Sequence, residues 1–494
     1  MNICLISPRI TLQKKDFLGS GIPYWPIELA VMAAELQQFS KIQVIDMFGQ
    51  DPKALEEFPE FFAQGIPIST MLDQIKSAPD VFIVFAISYM SHSECLRVIQ
   101  ACKRNYPRSK IVVLENSQAV TSYSVDLLSE DFFHKGADYL ACGQLNGKWQ
   151  KIIQGVSSGS LKDDAILEAG IKKQVIRHSA SGETFHCPAW ELFPIENYWK
   201  LPYSHGPKNK RFLPILTSRG CPYSCDFCVV PELNNRRWRP RSPSEVVNEM
   251  EKLKEKYKVS HFQIEDLNPT VDANRWNSIS TEILSRRLEI TYSFVSGTKS
   301  ETLKLENLQQ YYKSGLRYIS ISPESGSLKL MNLIGKKFDY QHGIDLIKEC
   351  TSVGIKTQAC FLVGHPDETD SDYQMTKSYL KKLLNAGLSE VAIFIVSPFA
   401  GSRLHRDSRI QERTGFSYIS FSPKSRINYR ELVIKRNKLI QIYFKSKLRR
   451  PRELLGMMVR SIFGTPKTKV ENLPKRLIYI SWIVIRHKFR HNNG

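Results

Sequence analysis

The amino-acid sequence predicts an α/β protein in three parts: an N-terminal doubly wound parallel sheet, a partial barrel of six βα units, and a helical, basic C-terminal region. Two stretches alternate short apolar runs with single helical segments, the pattern of strands joined by crossover helices. In the second stretch each apolar run ends in polar or small residues, as barrel strands do at the end where chemistry is built. The final 60 residues, 435–494, hold sixteen lysines and arginines against two acidic residues, a charge density the rest of the chain lacks.

The first stretch runs from residue 1 to 150. "NICLISP" (2–8) and "IQVIDMF" (42–48) read as buried strands on either side of the helical "WPIELAVMAAELQQF". "DVFIVFAIS" (80–88) and "KIVVLEN" (110–116) follow, separated by the helical "SECLRVIQACKRNYP", and "ADYLACG" (137–143) is a fifth strand. Such runs form an open, Rossmann-like sheet whose ligands lie beyond the carboxyl ends of the strands. Those ends carry Ser7, Pro8 and Arg9, then Asp46, Ser88 and Tyr89, and Glu115, Asn116 and Ser117. Residues 151–210 read as a linker, because "HSASGETFHCPAWELFP" is rich in turn formers and prolines. The barrel is expected over 211–410, with strands at 212–219, 261–266, 290–297, 317–324, 356–364 and 390–398. Residues 411–494 read as an appended helical domain.

With 494 residues, 42% apolar and 24% charged, the chain can bury two or three ordinary cores. Seven of its ten cysteines are scattered singly, which suits reduced thiols and a cytoplasmic protein. The opening "MNICLISPRI" lacks the pattern of a signal peptide, and no apolar run reaches the roughly 18 residues of a spanning helix. The net charge of +20 would suggest a polyanion binder, but residues 435–494 account for fourteen of those charges. The body of the protein therefore needs no nucleic-acid partner.

The other three cysteines are crowded into "TSRGCPYSCDFCVVP" (217–231), spaced C-x3-C-x2-C. Clustered reduced thiols bind metal. A four-cysteine zinc site would need a second pair, and none exists, so zinc would require a distant fourth ligand. An iron–sulfur cubane held by three thiolates leaves one iron open for a substrate.

A C-x3-C-x-aromatic-C loop directly after a first barrel strand resembles the radical S-adenosylmethionine (SAM) superfamily. The resemblance implies that Cys221, Cys225 and Cys228 hold a [4Fe-4S] cluster, that SAM chelates the fourth iron, and that Phe227 packs near the adenine. Further motifs follow in the superfamily's order. "WRPRSPSEVVNEM" is similar to its entry into the first helix, and "FQIEDLNPT" to the segment whose acidic residue meets the SAM ammonium group, here Glu265 or Asp266. "ISISPESGSLKLMNLIGKK" resembles the fourth-strand motif, so Glu324 and Ser325 would reach the SAM ribose or carboxylate. "CFLVGHPDET" and "VSPFAGSRL" are similar to the segments after strands five and six. Each acidic residue alone would read as structural; six motifs at one barrel end do not.

The preceding doubly wound domain resembles that of the cobalamin (B12)-binding group of these proteins. It departs from that group where Glu115, Asn116 and Ser117 replace a glycine pair. His134, in "DFFHKG", does not fit the spacing of a cobalt ligand and reads as a helix C-terminal residue. The resemblance implies reductive cleavage of SAM to a 5′-deoxyadenosyl radical, with cobalamin-dependent C-methylation or rearrangement of a small-molecule or lipid-like substrate. It also implies a one-electron reductase of flavodoxin or ferredoxin type. The alternatives are a cobalamin-free, degenerate N-terminal domain, or a tRNA-modifying methylthiotransferase, whose extra cluster Cys4, Cys95, Cys102 and Cys142 do not reproduce. In the basic tail, "KLIQIYFKSKLRR" and "KRLIYISWIVIRHKFR" mix cations with apolar residues, a pattern for peripheral contact with an anionic membrane.

Overall fold

Runs such as "VFIVFA" have no polar face and are stable only with both faces covered. In the computed structural model, which describes residues 1–14, 17, 19–159, 166–167, 174–178, 185–208, 211–407, 409 and 428–492, such runs build two parallel sheets. The first contains β1 (Asn2–Ser7), β2 (Lys41–Asp46), β3 (Val81–Ala86), β4 (Lys110–Glu115), β5 (Tyr139–Gly143) and β6 (Gln174–His178). Their order is 2-1-3-4-5-6, every pairing parallel, and Ile166–Leu167 adds a short antiparallel edge. The order reverses at β1 and β3, so a doubly wound sheet opens its ligand crevice there.

β6 lies inside the segment expected as a linker. The run "QVIRH" is short and charged, so only its ladder with β5 makes it a strand. Trp190 and Trp199, from the same segment, are buried in the main core. The turn-rich residues 179–184 of that expected linker lie outside the described residues.

The second sheet takes β7 (Leu213–Ile215), β8 (His261–Ile264), β9 (Thr291–Thr298), β10 (Leu316–Glu324), β11 (Lys356–Val363) and β12 (Glu390–Ile395) in chain order, all parallel. Helices fill each crossover. The helix Pro243–Tyr257 starts at a capping box between Ser242 and Glu245, with proline at its first position. The helix Asp370–Ala386 starts at another, between Thr369 and Asp372. Register shifts interrupt the ladders β9–β10 and β10–β11: one at Tyr292 and Ser293 near the start of β9, and two, between Phe294 and Thr298 and between Ile321 and Glu324, toward the carboxyl ends where barrels place function.

Three helices, Tyr429–Leu448, Pro451–Ile462 and Leu473–Asn492, form the C-terminal region, while residues 410–427 at its start lie outside the described residues. The first packs beside β12, where the Tyr443 hydroxyl donates to the Ser389 carbonyl (3.3 Å). The last returns to the N-terminal part and packs Ile480 against Leu12 and Phe62 of a small antiparallel sheet. No helix among the described residues is long and apolar enough to cross a membrane.

Candidate active site

The loop after β7 turns at Gly220, where φ is +77° and a Cβ would lie 2.1 Å from the Arg237 carbonyl. Only glycine meets both conditions. Beyond it Cys221, Cys225 and Cys228 stand half-buried on one loop. Three segments brace that loop. Asp226 donates its N–H to the Ile334 carbonyl (3.0 Å), accepts from the Leu404 N–H (3.2 Å), and places Oδ2 2.8 Å from His365 Nε2. Arg403 donates to the Ser224 carbonyl (3.0 Å).

Burial pushes all three thiols up, Cys225 to about 11, against the opposing field of Lys336. Three sulfurs in so dry a place ionise readily only beside a multivalent cation, the condition a metal cluster meets. Among the described residues no three such side chains converge on a point suited to a single metal ion. Three thiolates on one loop are the donor set of a cubane that keeps one iron open.

Glu324 ends β10 in the left-handed region (φ +56°), buried, and its Oε1 meets Lys336 Nζ at 2.6 Å. A strained, bulge-flanked residue beside a metal-type donor set marks a functional position. Its neighbour Ser325 is buried, with its hydroxyl 3.0 Å from that of Thr376. Phe227 packs with Leu362, Val396 and Leu404 under the loop.

The two acidic residues after β8 part company. Asp266 is buried and accepts from the Thr217 N–H (2.6 Å), the Thr217 hydroxyl (2.7 Å) and the Ser218 hydroxyl (2.5 Å), which ties β8 to β7. Glu265 stays partly exposed, with Oε2 2.8 Å from His205 Nδ1. Arg241, from the expected first-helix entry, is buried on Glu249 (2.7 Å). Asp226 Oδ1, Glu368 Oε1 and Asn268 Nδ2 are buried at the same barrel end without a hydrogen-bond partner among the described residues. His205, in the loop "YSHGPK", carried no motif; Lys336 lies in the stretch "NLIGKK" quoted for Glu324, but nothing in its spacing announced the ion pair.

The first sheet points its carboxyl edge at this loop. Glu115 accepts from the N–H groups of Val125 (3.0 Å) and Gly143 (2.9 Å), stitching β4 to β5. Asn234 closes the short helix Val230–Leu233 after the cysteines and binds the edge directly. Its Nδ2 donates to the Ser117 carbonyl (2.8 Å), and its Oδ1 accepts from Gln118 (3.0 Å) and Gln144 (3.1 Å). Gln118 Oε1 in turn accepts from the Gly220 N–H (3.0 Å), next to Cys221. Thr121 Oγ1 and Gln144 Oε1 on this edge are buried without partners among the described residues. His134 is far from such a role: it ends the helix Ser129–His134, with Nδ1 3.1 Å from the Glu130 carbonyl.

Residues 215–396 match the model of the Radical SAM superfamily. An uncharacterized methyltransferase of Pyrococcus horikoshii is 23% identical over 418 residues, covering 82% of this chain and 82% of its own length. The cytidylyl-2-hydroxyethylphosphonate methyltransferase of Streptomyces wedmorensis is 28% identical over 448 residues, covering 82% and 81%. Among solved structures, the radical S-adenosylmethionine methyltransferase TsrM of Kitasatospora setae, with cobalamin and a [4Fe-4S] cluster bound, shares the fold at a TM-score of 0.61 and 14% identity, over 84% of this chain and 81% of that one.

Proposed function

Residues 215–396 are a radical SAM domain, and on that premise we propose that the whole chain is a cobalamin-dependent radical SAM methyltransferase. One observation carries the reading: three half-buried thiols, braced on one loop, lie between the bulged carboxyl end of the barrel and the carboxyl edge of a doubly wound sheet. When bound, a [4Fe-4S] cluster would supply the electron that cleaves SAM to methionine and a 5′-deoxyadenosyl radical, and cobalamin the methyl carrier.

In this reading Cys221, Cys225 and Cys228 ligate the cluster. Glu265 takes the SAM ammonium group, because Asp266 is spent on Thr217 and Ser218. Glu324, held by Lys336, offers its carboxylate toward the ribose or the amino-acid end, with Ser325 behind it. Phe227 lies against the adenine. Thr121 Oγ1 and Gln144 Oε1, without partners among the described residues, suit a ligand rimmed by amides, as a corrin is. The N-terminal unit then extends past residue 150 to include β6, and the barrel and the helical region follow it. Methyl transfer is preferred because two relatives aligned over most of their length carry it in their names. A helical rather than β C-terminal region gives no support to the tRNA-modifying alternative.

The reductant is a one-electron carrier of flavodoxin or ferredoxin type. The helices at 451–492 leave Leu455, Phe463, Ile478, Trp482 and Phe489 exposed among Arg452, Arg486 and Lys488, a surface for peripheral docking on an anionic membrane. Such docking would suit a lipid-like or lipid-linked substrate.

Anaerobic reconstitution with iron, sulfide and hydroxocobalamin tests the reading. Expected are three to four irons per cluster by the general composition of cubanes, a retained corrin spectrum, and methionine with 5′-deoxyadenosine from SAM. A cluster-loaded protein that leaves SAM intact would sink the proposal; one that cleaves SAM without retaining corrin would reduce it to a cobalamin-free enzyme.

A further inference from the structure

The inner face of the last two barrel strands is not fully packed. Along β11 and β12, Cys360, Leu362, Ala392 and Phe394 keep part of their surface accessible, while the alternating Phe361, Val363, Ile393 and Ile395 are buried. Strand alternation puts the first set inside and the second against the surrounding helices. Into this space the C-terminal region sends one cation. Lys469 lies on the segment between the helices Pro451–Ile462 and Leu473–Asn492, and its Nζ donates to the Val295 carbonyl at 3.0 Å. Val295 lies in the register shift between Phe294 and Thr298, where a bulge releases backbone groups from the ladder. The Tyr318 ring lies 5.8 Å from the same ammonium.

The segment is held firmly. Its Val470 N–H donates to Glu390 Oε2 (2.8 Å), its Asn472 amide to the Gly206 carbonyl (3.4 Å), and Glu471 binds Arg460 (2.7 Å). Among the described residues the cation has no carboxylate of its own. Glu390 is the nearest reasonable partner, yet its oxygens are occupied by Tyr318 (2.5 Å), Gln358 (3.0 Å) and Val470. Among the described residues none makes an ion pair with Lys469, and an ammonium with three donors and one carbonyl partner has two to spare. Burial holds its pKa below the usual lysine value, with Cys360, Glu390 and Glu265 pulling the other way. Thr468 Oγ1 and Asn472 Oδ1, on either side of it in the chain, are also buried without partners. A lysine that served only to prop the bulge would be matched by an acidic residue or replaced by a neutral donor, since an unpaired buried charge is costly.

We infer that Lys469 is a specificity-determining residue that receives an oxyanion of the substrate, a carboxylate or a phosphate-type group, inside the barrel. Asn472, three positions on from Lys469, donates to the Gly206 carbonyl, next to the His205 that holds Glu265, so the cation sits on the same side of the barrel as the residue assigned above to SAM. The inference rests on the proposed function and adds the substrate class.

The test uses the cluster-loaded holoenzyme with two probes, acetate and methylphosphonate, whose binding is read by carbon and phosphorus NMR line broadening from the reduced cluster. Wild type is compared with K469M and K469R. The expected result is broadening of one probe or both by wild type, at least a tenfold weaker effect with K469M, and recovery to within threefold with K469R. Which probe responds distinguishes carboxylate from phosphate chemistry. Equal broadening by wild type and K469M overturns the inference, as does no broadening by wild type. A K469M protein that loses iron or melts well below wild type, with K469R restoring both, identifies a structural prop and also overturns it. Failure of wild type to take up a cluster or to bind SAM counts against the proposed function, and those two measurements precede the probes.

Discussion

Lys336 is the counter-charge for Glu324 at a place where neither has water to fall back on, and it also sets the field at the three thiols. Removing it leaves a buried carboxylate alone. Lys336→Met should therefore cost about 3–5 kcal/mol by chemical denaturation, and the purified protein should retain less iron than wild type. A second residue is governed by burial alone. Asp46 ends β2, accepts from the Gly49 N–H (3.0 Å) and the Tyr198 hydroxyl (2.8 Å), and is pushed up to about 6 by desolvation from its usual 3.8. A carboxyl whose pKa rises on folding favours the fold while protonated. That contribution is complete below about pH 4 and is lost as the pH rises through about 6. Asp46→Asn should thus gain on wild type by up to about 3 kcal/mol across that window, measured as denaturation midpoints at matched pH. Cys221, Cys225 and Cys228 were legible because thiols bind metal through local spacing. His205, Asn234 and Lys469 were not, because their partners Glu265, Ser117 and Val295 lie 60, 117 and 174 positions away.

The short helix Val230–Leu233 and its terminal Asn234 join two sheets that share no strand. Asn234→Ala would leave the Ser117 carbonyl and the amides of Gln118 and Gln144 short of a partner in a buried seam. The expected cost is about 1–3 kcal/mol, with faster release of iron into a chelator, because Gln118 also holds the Gly220 N–H beside Cys221. Iron release unchanged from wild type would show that the loop is held by the barrel alone. The twelve main strands were unequally legible. Eleven announced themselves by apolar runs with polar carboxyl ends, which local sequence shows. β6 did not, since "QVIRH" acquires its strand conformation from β5. The bulges were also hidden, because a register shift is a relation between strands, and they are what re-aim Glu324 and the Val295 carbonyl.

At the scale of the whole molecule the basic tail proves to be more than an appendage. Its exposed apolar residues, Phe463 at 85% exposure among them, invite a membrane test, but deleting the tail would also unseat Lys469 from the barrel. The informative variant exchanges Leu455, Phe463, Ile478, Trp482 and Phe489 for glutamine. It should lose at least about 90% of its partitioning onto vesicles rich in anionic lipid, while wild-type binding falls with added salt. Equal partitioning of the two proteins would remove the docking surface. Charge and amphipathicity showed in the sequence that the tail is helical and basic; that it reaches back to the first strands depends on tertiary packing no local pattern records. Arg476 donates to the Ser20 carbonyl across 456 positions of chain. A closure of that span forms late, since distant segments must first find each other. During synthesis the barrel and its cysteine loop leave the ribosome well before the helix Leu473–Asn492 exists. Docking of that helix on Leu12, Phe62 and Ser20 therefore follows completion of the barrel and its cysteine loop. Translation itself becomes a timer: the contact that joins Arg476 to Ser20 waits until residues 473–492 have been made.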